Sequence, residues 1–143
     1  MKKYTLLSLL SICVAVILMI FPIGAILRFA PSSTKMVFKF FSYFDMTVWG
    51  YGNMFPFLTA VLSISSLILL FCVLLSKSRN PMLNKTTLIC SIICTCTSIL
   101  ALLFFIVFGT VSVASVFISI LLLSTTAMQF VSKKREKRNQ TNN

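Results

Sequence analysis

Histidine is absent from this 143-residue chain, and its acidic residues number two, Asp45 and Glu136. General acid/base catalysis and most metal ligation draw on His, Asp and Glu. With so few of these donors the chain is expected to be no enzyme and to carry no catalytic residue, cofactor or metal. Charged residues of both signs are only 10% of the chain, against roughly 25% in soluble domains, and this excludes a water-soluble fold. Glycine and proline are also scarce, four of each, so the chain has few built-in breaks and each one carries weight.

What is present is apolar. Hydrophobic residues make up 58% of the sequence and gather in runs long enough to cross a hydrocarbon core of roughly 30 Å, which takes about 20 helical residues. The pattern predicts an all-α membrane protein, a four-transmembrane-helix bundle with spans at about 4–27, 55–75, 86–108 and 111–131. These form one domain over 1–131, followed by a basic disordered cytoplasmic tail over 132–143. Pro22 and Gly24 close the first run, Pro81 reads as a break between the second and third, and Gly109-Thr110 splits a stretch twice too long for one span. A cleaved signal peptide is the rival for the first run. The apolar stretch is long for that, and Arg28 sits where a cleavage site wants a small residue.

The net charge of +11 first suggests nucleic acid, but the basic residues sit between the apolar runs and at the ends, where they encode topology. With the N-terminus inside, the cytoplasmic segments hold Lys2, Lys3, Lys77, Arg79, Lys85, Lys133, Lys134, Arg135, Lys137 and Arg138. The outer segments hold only Arg28, Lys35 and Lys39, ten against three. The expectation is a multi-pass protein of the cell membrane with both termini cytoplasmic and no nucleic-acid partner. Lys133, Lys134, Arg135, Lys137 and Arg138 are expected to contact anionic lipid headgroups, at about 1 kcal/mol per cation near the surface. Two glycosylation triplets, at Asn84 and Asn139, fall on that same cytoplasmic side and are formal only.

The segment 28–54 is the one sizeable stretch between spans, and it is rich in aromatics: Phe29, Phe38, Phe40, Phe41, Tyr43, Phe44, Trp49 and Tyr51. One reading lays it on the outer leaflet, with rings at headgroup depth and Lys35 and Lys39 reaching phosphates. The other folds it as a lid around Asp45 and the turn Trp49-Gly50-Tyr51-Gly52-Asn53, where two glycines allow a tight turn. Asp45, Trp49, Tyr51 and Asn53 form the candidate functional loop. Asp45 is expected to pair with Arg28, Lys35 or Lys39, or to face water.

Each span also carries one stripe of small, weakly polar residues: Ser8, Ser11, Ala15; Thr59, Ser63, Ser66; Ser91, Thr95, Ser98; Ser112, Ser115, Ser119. In lipid such residues let helices approach and hydrogen-bond across. They predict either a compact bundle or dimer face, or, in an oligomer, a hydrated common axis. Cys13, Cys72, Cys90, Cys94 and Cys96 lie at predicted membrane depth. Cys90 and Cys94 share a face and Cys96 points elsewhere, a spacing unlike a redox or zinc pair, so packing is their expected role.

The stretch Phe41-Ser42-Tyr43-Phe44-Asp45 to Gly50-Tyr51-Gly52-Asn53, running into Phe55-Pro56, resembles a segment of short uncharacterised bacterial membrane proteins with the same four-span layout. The resemblance covers the first loop and second span and implies no activity. Length and span count also resemble the small multidrug resistance transporters, which depend on a membrane-embedded glutamate in their first helix. The first helix here has no acidic residue. The expected function is a non-enzymatic accessory or packing protein of a membrane complex, with a membrane protein as partner or a homo-oligomer. The alternative is a homo-oligomeric pore or small transporter.

Overall fold

A computed structural model describes residues 2–32, 35–46, 54–76 and 81–141, with side chains over 3–27, 37–46, 54–76 and 81–135. Trp49, Tyr51 and Asn53 lie outside the described residues. The element order is α1 (Lys2–Ile20), β1 (Ala25–Ser32), β2 (Lys35–Phe41), α2 (Met54–Leu75), α3 (Pro81–Val107) and α4 (Val113–Thr141). All four helices are long and apolar enough to cross a membrane, the architecture of a multi-pass membrane protein. Each helix packs on its neighbours in the order α1, α2, α3, α4 and back to α1, so the bundle closes as a four-cornered ring.

Three boundaries differ from the sequence expectation, each for a local reason. First, α1 stops at Ile20 rather than Leu27, because Pro22 disfavours the helical region for Phe21; the chain turns through a tight Ile23 N–H to Phe21 carbonyl bond of 2.8 Å. It then enters an antiparallel hairpin that pairs Ala25 with Phe41 and Leu27 with Lys39. Apolar continuity alone does not separate a strand from a helix end, and β-branched and aromatic residues here favour the strand. Second, α3 begins at Pro81 rather than Thr86. Proline suits a first helical position, where its missing N–H is no loss. Third, the tail expected to be disordered is helical as far as Thr141. Lys, Arg, Glu and Gln are good helix formers, and a helix already running needs no new nucleus. Between α3 and α4 the chain reverses at Gly109, whose φ of 64° lies in the left-handed region that glycine occupies without steric cost.

The core inverts the soluble pattern. Ala15, Ala60, Ala101, Ser8, Ser63, Ser66, Ser98 and Ser115 are fully buried, while Leu10, Ile68, Leu103, Phe117 and Leu123 stand exposed on the outside. Lipid gives no hydrophobic drive between helices, so small interior residues that admit close backbone approach are what hold such a bundle together.

Candidate functional site

Three features bear chemistry: the hydroxyl-lined interior, the base of the hairpin, and the basic end of α1 and α4.

The four stripes face the inside of a single chain. On the seam of α1 and α4, Ser11 Oγ meets Ser124 Oγ at 3.0 Å and donates to the Leu121 carbonyl at 3.1 Å. On α2 and α3, Ser63 Oγ lies 3.1 Å from Cys94 Sγ, and Ser66 Oγ donates to Cys90 Sγ at 3.2 Å. On α3 and α4, Ser98 Oγ meets Ser119 Oγ and Thr95 Oγ1 meets Thr126 Oγ1, both at 2.8 Å. Most of these hydroxyls also donate to the carbonyl one turn back in their own helix, as Ser63 does to Thr59 and Ser119 to Ser115. Each hydroxyl has a single proton, which goes either to that carbonyl or to the partner across the seam, and its oxygen accepts in turn. Sequence reasoning missed Ser124, Thr125, Thr126 and Gln129, which extend the α4 stripe toward its C-terminal end. Part of the signal was present: Ser112, Ser115, Ser119, Thr126 and Gln129 keep one heptad spacing with Leu122 between them, whereas Ser124 and Thr125 lie off it. Gln129 Nε2 donates to Ser91 Oγ at 2.7 Å, and Gln129 Oε1 is buried with no hydrogen-bond partner.

Cys90 and Cys94 do share a face, and both thiols lie against α2; Cys72 and Cys96 are exposed. Among the described residues no three His, Cys, Asp or Glu side chains are placed to hold a metal ion.

The hairpin is fastened at its base. Tyr43 N–H donates to the Met19 carbonyl at 3.0 Å, and Ser112 Oγ donates to the Ile23 carbonyl, so the end of α1 and the start of α4 both hold it. The Tyr43 ring is buried in the core with Ile12, Met19 and Ile118, and that burial pushes its phenol well above the ordinary range. Asp45 folds back on the same turn: its Oδ2 accepts the Ser42 N–H at 2.9 Å, while Ser42 Oγ accepts the Phe44 N–H at 3.2 Å. The carboxylate therefore has a turn-capping bond, which an expectation built on the lysines and Arg28 does not contain. Ala25 and Leu27 are buried against the bundle, while Val37, Phe38 and Phe40 stand exposed.

At the opposite end, Arg135 lies over the Tyr4 ring, 4.9 Å from its centroid, which brings the start of α1 beside the basic part of α4. Lys134 and Arg135 are exposed and Lys133 is half-buried. Lys137 and Arg138 follow on the same helix, their side chains outside the described set.

Comparison with family models, with curated proteins and with solved structures finds no match.

Proposed function

We propose that this chain is a non-enzymatic accessory protein of a membrane complex, which uses its fastened aromatic hairpin as the contact surface for a membrane protein partner. The observation that carries the reading is the direction of the hydroxyl stripes. They bond within one chain, across three helix seams, so the stripes find their partners inside the bundle. That leaves the hairpin, whose two strands pair with each other in a two-stranded sheet and which exposes Val37, Phe38 and Phe40, as its most distinctive surface. The edge of a sheet is a template for another chain.

The same reading takes the chain to be a bacterial cell-membrane protein with both termini cytoplasmic and the hairpin outside. Ten basic residues against three support that orientation. Lys133, Lys134, Arg135, Lys137 and Arg138 then sit at the anionic inner leaflet. Nucleic acid is no part of the reading, because the basic residues have this role at the membrane surface.

The test is crosslinking in the native membrane, followed by purification in mild detergent and determination of mass and composition. A stoichiometric second protein supports the accessory role. The chain alone, or in copies of itself only, contradicts it.

A homo-oligomeric pore or small transporter is the second reading, and one observation favours it. Gln129 Oε1 is buried without a partner at one end of a hydroxyl column on α4 that runs from Ser112 to Gln129, about 25 Å at 1.5 Å per residue. Such an acceptor suits a hydrated path. Water or ion flux in liposomes that Gln129→Leu abolishes would establish it.

A further inference from the structure

We propose that the seam between the start of α1 and the basic part of α4 is a binding site for the phosphate of one anionic phospholipid, with Arg135 as its principal donor and Tyr4 as the residue that orients it. The inference rests on the membrane reading of the helices and the headgroup contact proposed above, and it is independent of any protein partner.

Depth comes first. The last large apolar residues on the outside of α4 are Phe130 and Val131, and the first on α1 is Leu6. Arg135 stands four residues beyond Val131, about 6 Å along a helix, and Tyr4 two residues before Leu6, about 3 Å. The polar layer on each side of a hydrocarbon core is about 5–7 Å thick. Both side chains therefore fall at headgroup depth.

Charge and geometry agree with that depth. Lys3 adjoins Tyr4, and Lys134 adjoins Arg135; Lys3, Lys134 and Arg135 are all exposed. Their sign matches a phosphodiester. The N-terminus of α1 adds its own partial positive charge at the same end. Arg135 Cζ lies over the Tyr4 ring, 4.9 Å from its centroid, a cation–π contact that fixes where the guanidinium sits. A guanidinium placed there carries a planar fork of donors that matches two oxygens of one phosphate. A lysine at the same position would supply charge without the fork.

Native mass spectrometry of the full chain in mild detergent, with equal amounts of phosphatidylglycerol and phosphatidylcholine, tests the site. One phosphatidylglycerol per chain should be retained in preference to phosphatidylcholine. Arg135→Gln should weaken that preference by more than roughly fivefold, because it removes a cation, worth about that much at a charged surface, together with the bidentate fork. Arg135→Lys and Tyr4→Leu, which keep the charge, should cause a smaller but resolved loss, whereas Tyr4→Phe, which keeps the ring face, should not. Helical circular dichroism checks that each variant is folded, and should Arg135→Gln fail to fold, Arg135→Lys and Tyr4→Phe still decide. Retention by Arg135→Lys equal to the original chain would reduce the site to diffuse attraction and overturn it. Equal binding of phosphatidylcholine would overturn it too, as would displacement of the lipid by glycerol phosphate at matched concentration, which would assign the site to a soluble phosphate.

Discussion

Gly24 and Tyr43 are fitted to each other: a Cβ placed on Gly24 would stand 2.6 Å from Cδ2 and 2.7 Å from Cε2 of the Tyr43 ring. No flexible side-chain end is available to yield, because the ring is fully buried and its own backbone N–H is tied to Met19. The hairpin base therefore depends on the absence of a side chain at one position.

Gly24→Ala should destabilise the protein by about 1–3 kcal/mol, the usual range for overpacking. Thermal unfolding in detergent measures it. In a Tyr43→Leu background the same substitution should cost distinctly less, because the clashing ring atoms are gone. Additive losses would show that the two residues do not meet.

The Tyr43 phenol gives the hairpin a pH dependence. Its value is raised in the folded protein by burial, so the contribution is complete below the ordinary phenol range near pH 10. It is lost as pH rises above that range toward the folded value. Stability should be flat with respect to this group at neutral pH and fall under alkaline conditions, and Tyr43→Phe should remove that part of the fall. Parallel stability curves for the two chains would contradict it.

Much of the bundle is legible in the sequence. The four apolar runs mark the spans, and the small polar stripes point at each other because lipid rewards only close packing and hydroxyl bonds. The hairpin is hidden because Ala25 to Leu27 is as apolar as the helix before it, so only Pro22 and Gly24 mark the change. The α4 stripe is plain as far as Ser119 and no further, since Leu122 interrupts the run of hydroxyls that resumes at Thr125 and Thr126. Asp45 invites a reading through its charge, and its bond to the backbone N–H three residues back is a local turn contact that residue counting does not weigh.

The seam between α3 and α4 offers a direct measure of hydroxyl bonding. Thr95 and Thr126 are 2.8 Å apart, and a double-mutant cycle with Thr95→Val and Thr126→Val should give a coupling of about 0.6–1.7 kcal/mol. Ser65, half-buried on α2 with its hydroxyl donating to the Val61 carbonyl of its own helix, should show no coupling to either.

Asp45→Ala should lower stability by about 1–3 kcal/mol, because the Ser42 N–H loses its charged acceptor. Asp45→Asn retains an amide oxygen in the same place and should lose less. Unfolding measured for the two variants side by side orders them, and a larger loss for Asn than for Ala would contradict the turn-capping role.

The central claim is that the hairpin, and not the helical flank, meets the partner. A photo-crosslinking residue at Phe40, exposed on the hairpin, and another at Phe117, exposed on α4, separate the two surfaces in the native membrane. The account predicts one defined crosslink to a second protein from Phe40 and lipid adducts alone from Phe117. Lipid adducts or a second copy of this chain from Phe40, with the foreign protein captured from Phe117 or not at all, would contradict it.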